Sequence, residues 1–139
     1  MNELNHKVIE EISIALGWMA DNAQVIYTAR QLTSRMGFDD VQQHLIASAA
    51  SELSTNIIRY AGNGTVTLRI IRHDQREGIE IVAQDEGPGI ADIDEAMQEN
   101  FTTSSGLGLG LPSVRRIMDE FAIESKPKHG TCIVARKWR

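Results

Sequence analysis

The sequence predicts an α+β two-layer sandwich: a mixed, mostly antiparallel sheet with helices on one face. Three observations carry this. Two stretches of helical spacing follow one another in the first half of the chain. Two pairs of short segments rich in β-branched residues come later, each pair closed by a turn. A further segment of this kind opens the chain, so the element order reads β-α-α-β-β-(α)-α-β-β. Runs of strands that are neighbours in sequence, with helices grouped between them, bury their apolar faces best as one sheet under one helical layer. The 139 residues read as a single domain, 1–139.

The elements follow in order. Residues 6–16 hold Val8, Ile9, Ile12 and Ile14 and read as a first strand. Val25, Ala29, Leu32 and Met36 recur at helical spacing over 23–36, with Asp21 or Asn22 placed to cap and Gly37 placed to end the helix. Asp39 or Asp40 caps a second helix over 41–61, whose Leu45, Ala49, Leu53 and Ile57 form one stripe. Gly62 and Gly64 flank Asn63 in a turn. Residues 65–73 and 78–86 read as a hairpin joined by the charged segment 74–78. A short helix or loop covers 92–101. Residues 112–122 read as a helix with Pro112 in its first turn, where a missing N–H costs least. Residues 122–138 close the chain as two strands around a turn at 126–130.

Composition excludes several classes. A net charge of −5 argues against a polyanion-binding protein but not against a nucleotide, which needs only a local site. Cys132, the single cysteine, excludes an internal disulfide and a thiolate metal cluster. No apolar run reaches the roughly 18 residues of a membrane span, and the first residues lack the pattern of a signal peptide. A cytoplasmic protein is expected.

Three segments point to chemistry. Gly106, Gly108 and Gly110 alternate with leucines and lead into the helix that holds Pro112. No lysine follows them, as a P-loop would need, and no strand precedes them, as a Rossmann fingerprint would need. They read either as a slack loop or as backbone laid close to a phosphate, with free N–H groups at a helix start. Asp85 leaves a strand just before Gly87, Pro88 and Gly89. It reads as an ordinary acidic turn or as an acceptor for an adenine amino group. Glu52 and Asn56 share one helix face. They read as solvated polar residues, or as a base for an attacking hydroxyl and a ligand for Mg²⁺.

Together these segments resemble the Bergerat-fold ATP-binding superfamily of gyrase, Hsp90, histidine kinases and MutL. Glu52-x-x-x-Asn56 is similar to its N box, Asp85-x-Gly87-x-Gly89 to its G1 box, and Gly106-x-Gly108-x-Gly110 to its G2 box. His129-Gly130-Thr131 resembles the terminal Gly-Thr pair, whose threonine assists adenine binding. The resemblance implies ATP held by Asn56, Asp85, Gly87, Gly89, Ile90 and Thr131. It adds the run Ser104, Ser105, Gly106, Leu107, Gly108, Leu109, Gly110 and Leu111. Asn56 would bind Mg²⁺ and Glu52 would act as the base. The chain has the length of the ATP-binding domain alone. His6, His44, His73 and His129 are scattered singly, so no phospho-accepting histidine is expected.

From about Ala20 onward the chain resembles the switch serine/threonine kinases of bacterial stressosome pathways. That resemblance implies phosphorylation of STAS-domain scaffold proteins, then binding to a downstream regulator, typically a PP2C-type phosphatase. An anti-sigma factor of related fold shares every ATP motif and stands as the alternative. One departure matters. No Lys or Arg lies between Ile90 and Gly106, so phosphate charge falls to Mg²⁺, backbone N–H groups, or Arg59, Arg115 or Arg116.

Overall fold

The computed structural model describes residues 6–90, 93–97 and 110–139. Its elements are β1 (Lys7–Leu16), α1 (Asp21–Met36), α2 (Asp40–Tyr60), β2 (Gly64–His73), β3 (Arg76–Asp85), α3 (Ile93–Ala96), α4 (Gly110–Ile117), β4 (Glu120–Lys126) and β5 (Gly130–Trp138). This is the predicted order. The strands form one sheet, β1-β2-β3-β5-β4, in which every neighbouring pair is antiparallel. The sheet is thus wholly antiparallel rather than mixed. Two helices between β1 and β2 return the chain to the end it left. The later hairpin inserts β5 between β3 and β4, so it runs against both.

Alternation along each strand sorts the side chains onto two faces. Ile12, Ile14, Val66, Leu68, Ile79, Ile81, Ile133 and Ala135 line the face beneath the helices. Val25, Ala29 and Leu32 of α1 meet them, as do Ile46, Leu53 and Ile57 of α2 and Leu111 and Val114 of α4. Each fully buried Val, Leu or Ile among them contributes roughly 1.5–3 kcal/mol.

Several boundaries differ from the sequence reading. The stripe of α2 is turned by one residue at its start, because Ile46 is fully buried while Leu45 is only half-buried. Ala20 occupies the cap position of α1 without a side-chain bond. Asp21 instead reaches back to the N–H groups of Gly17 and Trp18, at 2.8 and 2.9 Å. Asp39 does cap α2, accepting the Gln42 N–H at 2.8 Å, and Gly37 closes α1 in the left-handed region. The β2–β3 turn is shorter than 74–78, because Arg76 and Glu77 already pair with His73 and Arg72. The last helix stops at Ile117, not near 122. Asp119 donates its N–H to the Arg136 carbonyl, and Glu120 and Phe121 enter the sheet opposite Arg136 and Ala135.

The other face of the sheet has no helix over it among the described elements. A row of charges crosses it, one from each strand. Glu11, Arg69, Glu80, Arg136 and Glu120 stand opposite one another in register. Arg69 pairs with Glu11 and, at 2.9 Å, with Glu80; Arg136 pairs with Glu80 at 2.8 Å and with Glu120 at 3.0 Å. Glu80 is only 6% exposed, so two guanidinium groups replace the water it loses. Beyond this row Trp138 donates its indole N–H to Glu120 at 2.6 Å. The rings of His6 and His73 lie 5.3 Å apart and both face Trp138, so these two histidines are clustered rather than scattered.

Glu120 supplies a pH prediction. Partial burial pushes its carboxyl up, but the Trp138 indole, the Arg136 guanidinium and nearby His6 outweigh this and hold it below its ordinary value. A group lowered in the folded state stabilises above its unfolded value, about 4.3 for Glu. That contribution is lost as pH falls through the folded value. Denaturant unfolding at stepped pH should therefore show a flatter acid limb for Glu120→Gln than for the parent below about pH 4.3. Identical limbs would show that this carboxylate does not govern acid stability.

Candidate active site

The ends of β3, α2 and the β4–β5 hairpin meet at one end of the sheet. Asp85 is the last residue of β3 and is half-buried. Its Oδ1 accepts the Gly87 N–H at 2.9 Å, while Oδ2 has no partner among the described residues. Thr131 stands directly opposite in β5. Paired residues on one face keep their Cβ atoms roughly 4.5–5.5 Å apart. Ser125 stands opposite Thr131 in β4, with 2.8 Å between the two hydroxyl oxygens.

Residues 86–90 form a loop wedged between the end of α2 and the β4–β5 turn. The Pro88 carbonyl accepts the Lys128 N–H at 2.7 Å, and the Ile90 N–H donates to Ser125 Oγ at 2.7 Å. Gly89 has φ of 80°, and a Cβ there would run into the Lys126 carbonyl. Gly130 has φ of 93°, and a Cβ would run into the Asp85 carbonyl. A Cβ on Gly87 would come within 2.6 Å of the Ala61 methyl. The family resemblance gives Gly87 and Gly89 to ATP. The structure supplies a prior reason, since the loop, the turn and the helix end pack too closely for side chains.

Glu52 and Asn56 lie one turn apart on α2, both half-buried. Neither side chain has a hydrogen-bond partner among the described residues. Five residues separate Asn56 from Ala61, which sits against Gly87, a rise of roughly 7.5 Å along the helix. A groove of about 1020 Å³ opens at this end of the sheet, with Gly64, Asp85, Glu86, Ser125, Lys126 and Thr131 in its lining; Glu52, Asn56, Gly87, Gly89 and Ile90 do not line it. Ile90 is half-buried in the loop wall. Gly110 opens α4 with φ of 48°, and Leu111 beside it is buried. Ser104, Ser105, Gly106, Leu107, Gly108 and Leu109 lie outside the described residues.

Arg59, Arg115 and Arg116 are all exposed, and the Arg59 guanidinium lies 6.0 Å from the Tyr60 ring centroid. For a divalent cation, the described residues contain no group of three His, Cys, Asp or Glu side chains that could cage it. Mg²⁺ needs no such cage, since it keeps most of its waters and takes one or two protein oxygens with substrate phosphates. The Asn56 amide, without a protein partner among the described residues, fits that donor role. Cys132 lies beside the site, but burial and nearby Glu124 and Asp85 push its thiol up, away from the reactive thiolate. Sequence reasoning missed Ser125. Nothing in a lone serine immediately before a predicted turn separates it from other strand serines until the register is known.

The site joins a strand-end aspartate, a facing threonine, a glycine loop and a polar helix face, all on an antiparallel sheet under three longer helices. Residues 41–138 match the model of the histidine kinase-, DNA gyrase B-, and HSP90-like ATPase family, and the chain belongs to that family. Within it the chain is RsbT-like. It is 45% identical over 117 residues to the serine/threonine-protein kinase RsbT of Bacillus subtilis, covering 81% of this chain and 88% of that one. It is also 37% identical over 99 residues to the anti-sigma F factor of Caldanaerobacter subterraneus, covering 67% of this chain and 68% of the relative. In fold it is similar to a chain of the SiaB-SiaC complex from Pseudomonas aeruginosa, with a TM-score of 0.57 and 12% identity over 95% of this chain and 91% of that one. No helix among the described residues is long and apolar enough to cross a membrane.

Proposed function

We propose that the chain is a cytoplasmic serine/threonine protein kinase of a partner-switching pathway. It would phosphorylate STAS-domain stressosome proteins of the RsbS and RsbR kind. The observation that carries this reading is the placement of Glu52 and Asn56 on the helix whose end packs against the Asp85 loop, in a chain 45% identical to a named serine/threonine-protein kinase.

In this reading ATP sets its base against Asp85 and Thr131, with Gly87, Gly89 and Ile90 forming the wall beside it. Its phosphates run toward Asn56, Gly110 and Leu111, and the resemblance adds Ser104 to Leu109 to their ligands. Asn56, with the phosphates, would hold Mg²⁺, which would supply neutralisation of the phosphate charge. Glu52 accepts the proton of the incoming serine or threonine hydroxyl. That oxygen bonds to the γ-phosphorus as the bond to the β–γ bridging oxygen breaks, and ADP departs. Phosphoryl transfer asks mainly for positioning and charge stabilisation, so this small set of groups suffices. Arg59, Arg115 and Arg116 remain the cations that could reach phosphate. After release from the scaffold, the kinase would bind a downstream regulator such as a PP2C-type phosphatase.

The test is incubation with γ-labelled ATP, Mg²⁺ and candidate STAS proteins, followed by mapping of the labelled residue. Label on a scaffold serine or threonine supports the reading; no transfer to any STAS protein refutes it. Similarity to an anti-sigma F factor favours a second reading, in which the chain sequesters a sigma factor. Capture of a sigma factor rather than a STAS protein would favour it.

The adenine contact has its own test. Asp85→Asn keeps the shape but loses the charge of the acceptor. A hydrogen bond to a charged group contributes roughly 1.5–3 kcal/mol, so ATP affinity should fall by about 10- to 100-fold. Calorimetry that finds ATP affinity unchanged in the folded variant removes Asp85 from the site.

A further inference from the structure

We infer that the groove along the outer side of α1, built around Tyr27 and Arg30, docks the protein that brings the acceptor hydroxyl, through an acidic segment of that protein carrying an apolar side chain. The inference rests on the kinase reading above and gives it a second surface that the protein substrate must fit. Ala23, Tyr27, Arg30 and Ser34 follow one another at helical spacing on the exposed face of α1. With half-buried Ile26, and with Gln43 of α2, they line a groove of about 670 Å³. Tyr27 is 62% exposed, and Trp18 and Met19, in the turn ahead of α1, are exposed as well. A single exposed apolar residue needs no explanation. An aromatic one that rims a groove offers a partner both an anchor and a pocket.

Charge selects the chemistry of the occupant. Arg30 and Arg35 line the groove, and no Asp or Glu does. Arg35 already pairs with Glu10, at 2.7 Å. Arg30 is exposed and makes no ion pair among the described residues. Asp39 and Asp40, at the start of α2, stay outside the lining. The chain carries a net charge of −5, so as a whole it repels an acidic partner while this groove attracts one, which fixes where that partner lands. Position then names the partner. Asn22, just before Ala23, donates its side-chain N–H to Ser51 Oγ at 3.0 Å, and Ser51 precedes Glu52 on α2. One end of the groove therefore opens beside the turn of α2 that carries the base. The other end reaches Gln43, a rise of roughly 13.5 Å back along α2 from Glu52. A folded protein that offers a hydroxyl to Glu52 spans that distance, since a stable interface covers about 800 Å² of each partner.

The experiment measures steady-state transfer from γ-labelled ATP to the STAS protein that the parent chain labels, with the full chain and its variants. Arg30→Glu should raise KM for the STAS protein by about 10- to 100-fold, because attraction in the groove becomes repulsion. Its kcat and its affinity for ATP should not move, and the difference from the parent should shrink at high salt. Tyr27→Ala should raise the same KM by about 5- to 30-fold, as truncation of an interface anchor does. Both side chains are exposed, so either variant serves if the other does not fold. Lys7→Glu makes the same change of net charge on an exposed residue outside the groove and should keep the parent's KM. An unchanged KM in the groove variants, an equal rise in Lys7→Glu, or a fall in ATP affinity that accounts for the loss overturns the inference. So does a groove variant that labels the STAS protein with the parent's KM but no longer binds a PP2C-type phosphatase, since the groove would then belong to the regulator. A parent chain that labels no STAS protein sinks the kinase reading and this inference with it; a parent that labels one, with groove variants that match it, sinks the inference alone.

Discussion

Glu52→Gln is expected to bind Mg–ATP normally and to transfer phosphate roughly 10²–10⁴-fold more slowly, the usual contribution of a positioned base. The amide keeps the length and shape of the side chain but cannot take a proton. Glu52 is half-buried on α2 and has no hydrogen-bond partner among the described residues. Its loss should therefore leave the fold untouched. Asn56→Ala, one turn on, should lose nucleotide affinity as well as transfer, because the phosphates lose their metal-side anchor. The two variants thus separate base from binder on one helix. Single-turnover transfer to a STAS protein, with nucleotide binding measured in parallel, reads both. A Glu52→Gln protein that transfers at the parent rate would show that another group takes the proton.

The second large effect is on stability, far from the nucleotide. Glu80→Ala should destabilise the protein by about 2–3 kcal/mol, just below the roughly 3–5 kcal/mol that breaking a fully buried ion pair costs. The discount reflects Arg69, whose side chain is 31% exposed and finds water; Arg136, at 14%, does not. For a chain of this size the melting temperature should fall by roughly 10 °C. Glu80→Ala with Arg136→Met should recover part of the loss, because the stranded charge goes with its partner. Thermal unfolding of the parent, single and double variants checks this. If the single variant melts with the parent, the row of charges adds no net stability.

Much of this was legible in sequence, for identifiable reasons. Helical spacing at Val25, Ala29 and Leu32 and at Ala49, Leu53 and Ile57 gave both long helices, because a buried face must repeat with the helical turn. Glu52 and Asn56 could be placed together since a four-residue step is one turn. Asp85 and Thr131 could each be placed at a strand end, but not opposite each other, because register is a property of two segments and neither states it alone. Ser125 was hidden for the same reason. So were Glu11, Arg69, Glu80, Arg136 and Glu120, five unrelated surface charges until five strands align. The end of α4 was misread because Asp119 and Glu120 suit a helix locally, and only pairing with β5 ends the helix and puts Glu120 in a strand. His6 and His73 looked isolated because the sheet, not the sequence, brings them together beside Trp138.

The charge row also bears on how the sheet assembles. A hairpin counts its own residues, because a tight turn leaves one alignment of its strands; β2 with β3 and β4 with β5 have that help. β1 does not. It meets β2 only after the chain has passed through both long helices. A slip of one position there would turn Ile12 and Ile14 toward water and Glu11 and Ser13 toward the core. Glu11 against Arg69, and the Ser13 hydroxyl 2.9 Å from that of Thr67, mark the correct alignment from the solvent side. The first strand of the chain thus takes its place from marks that β2 carries on its solvent side, not from a turn of its own.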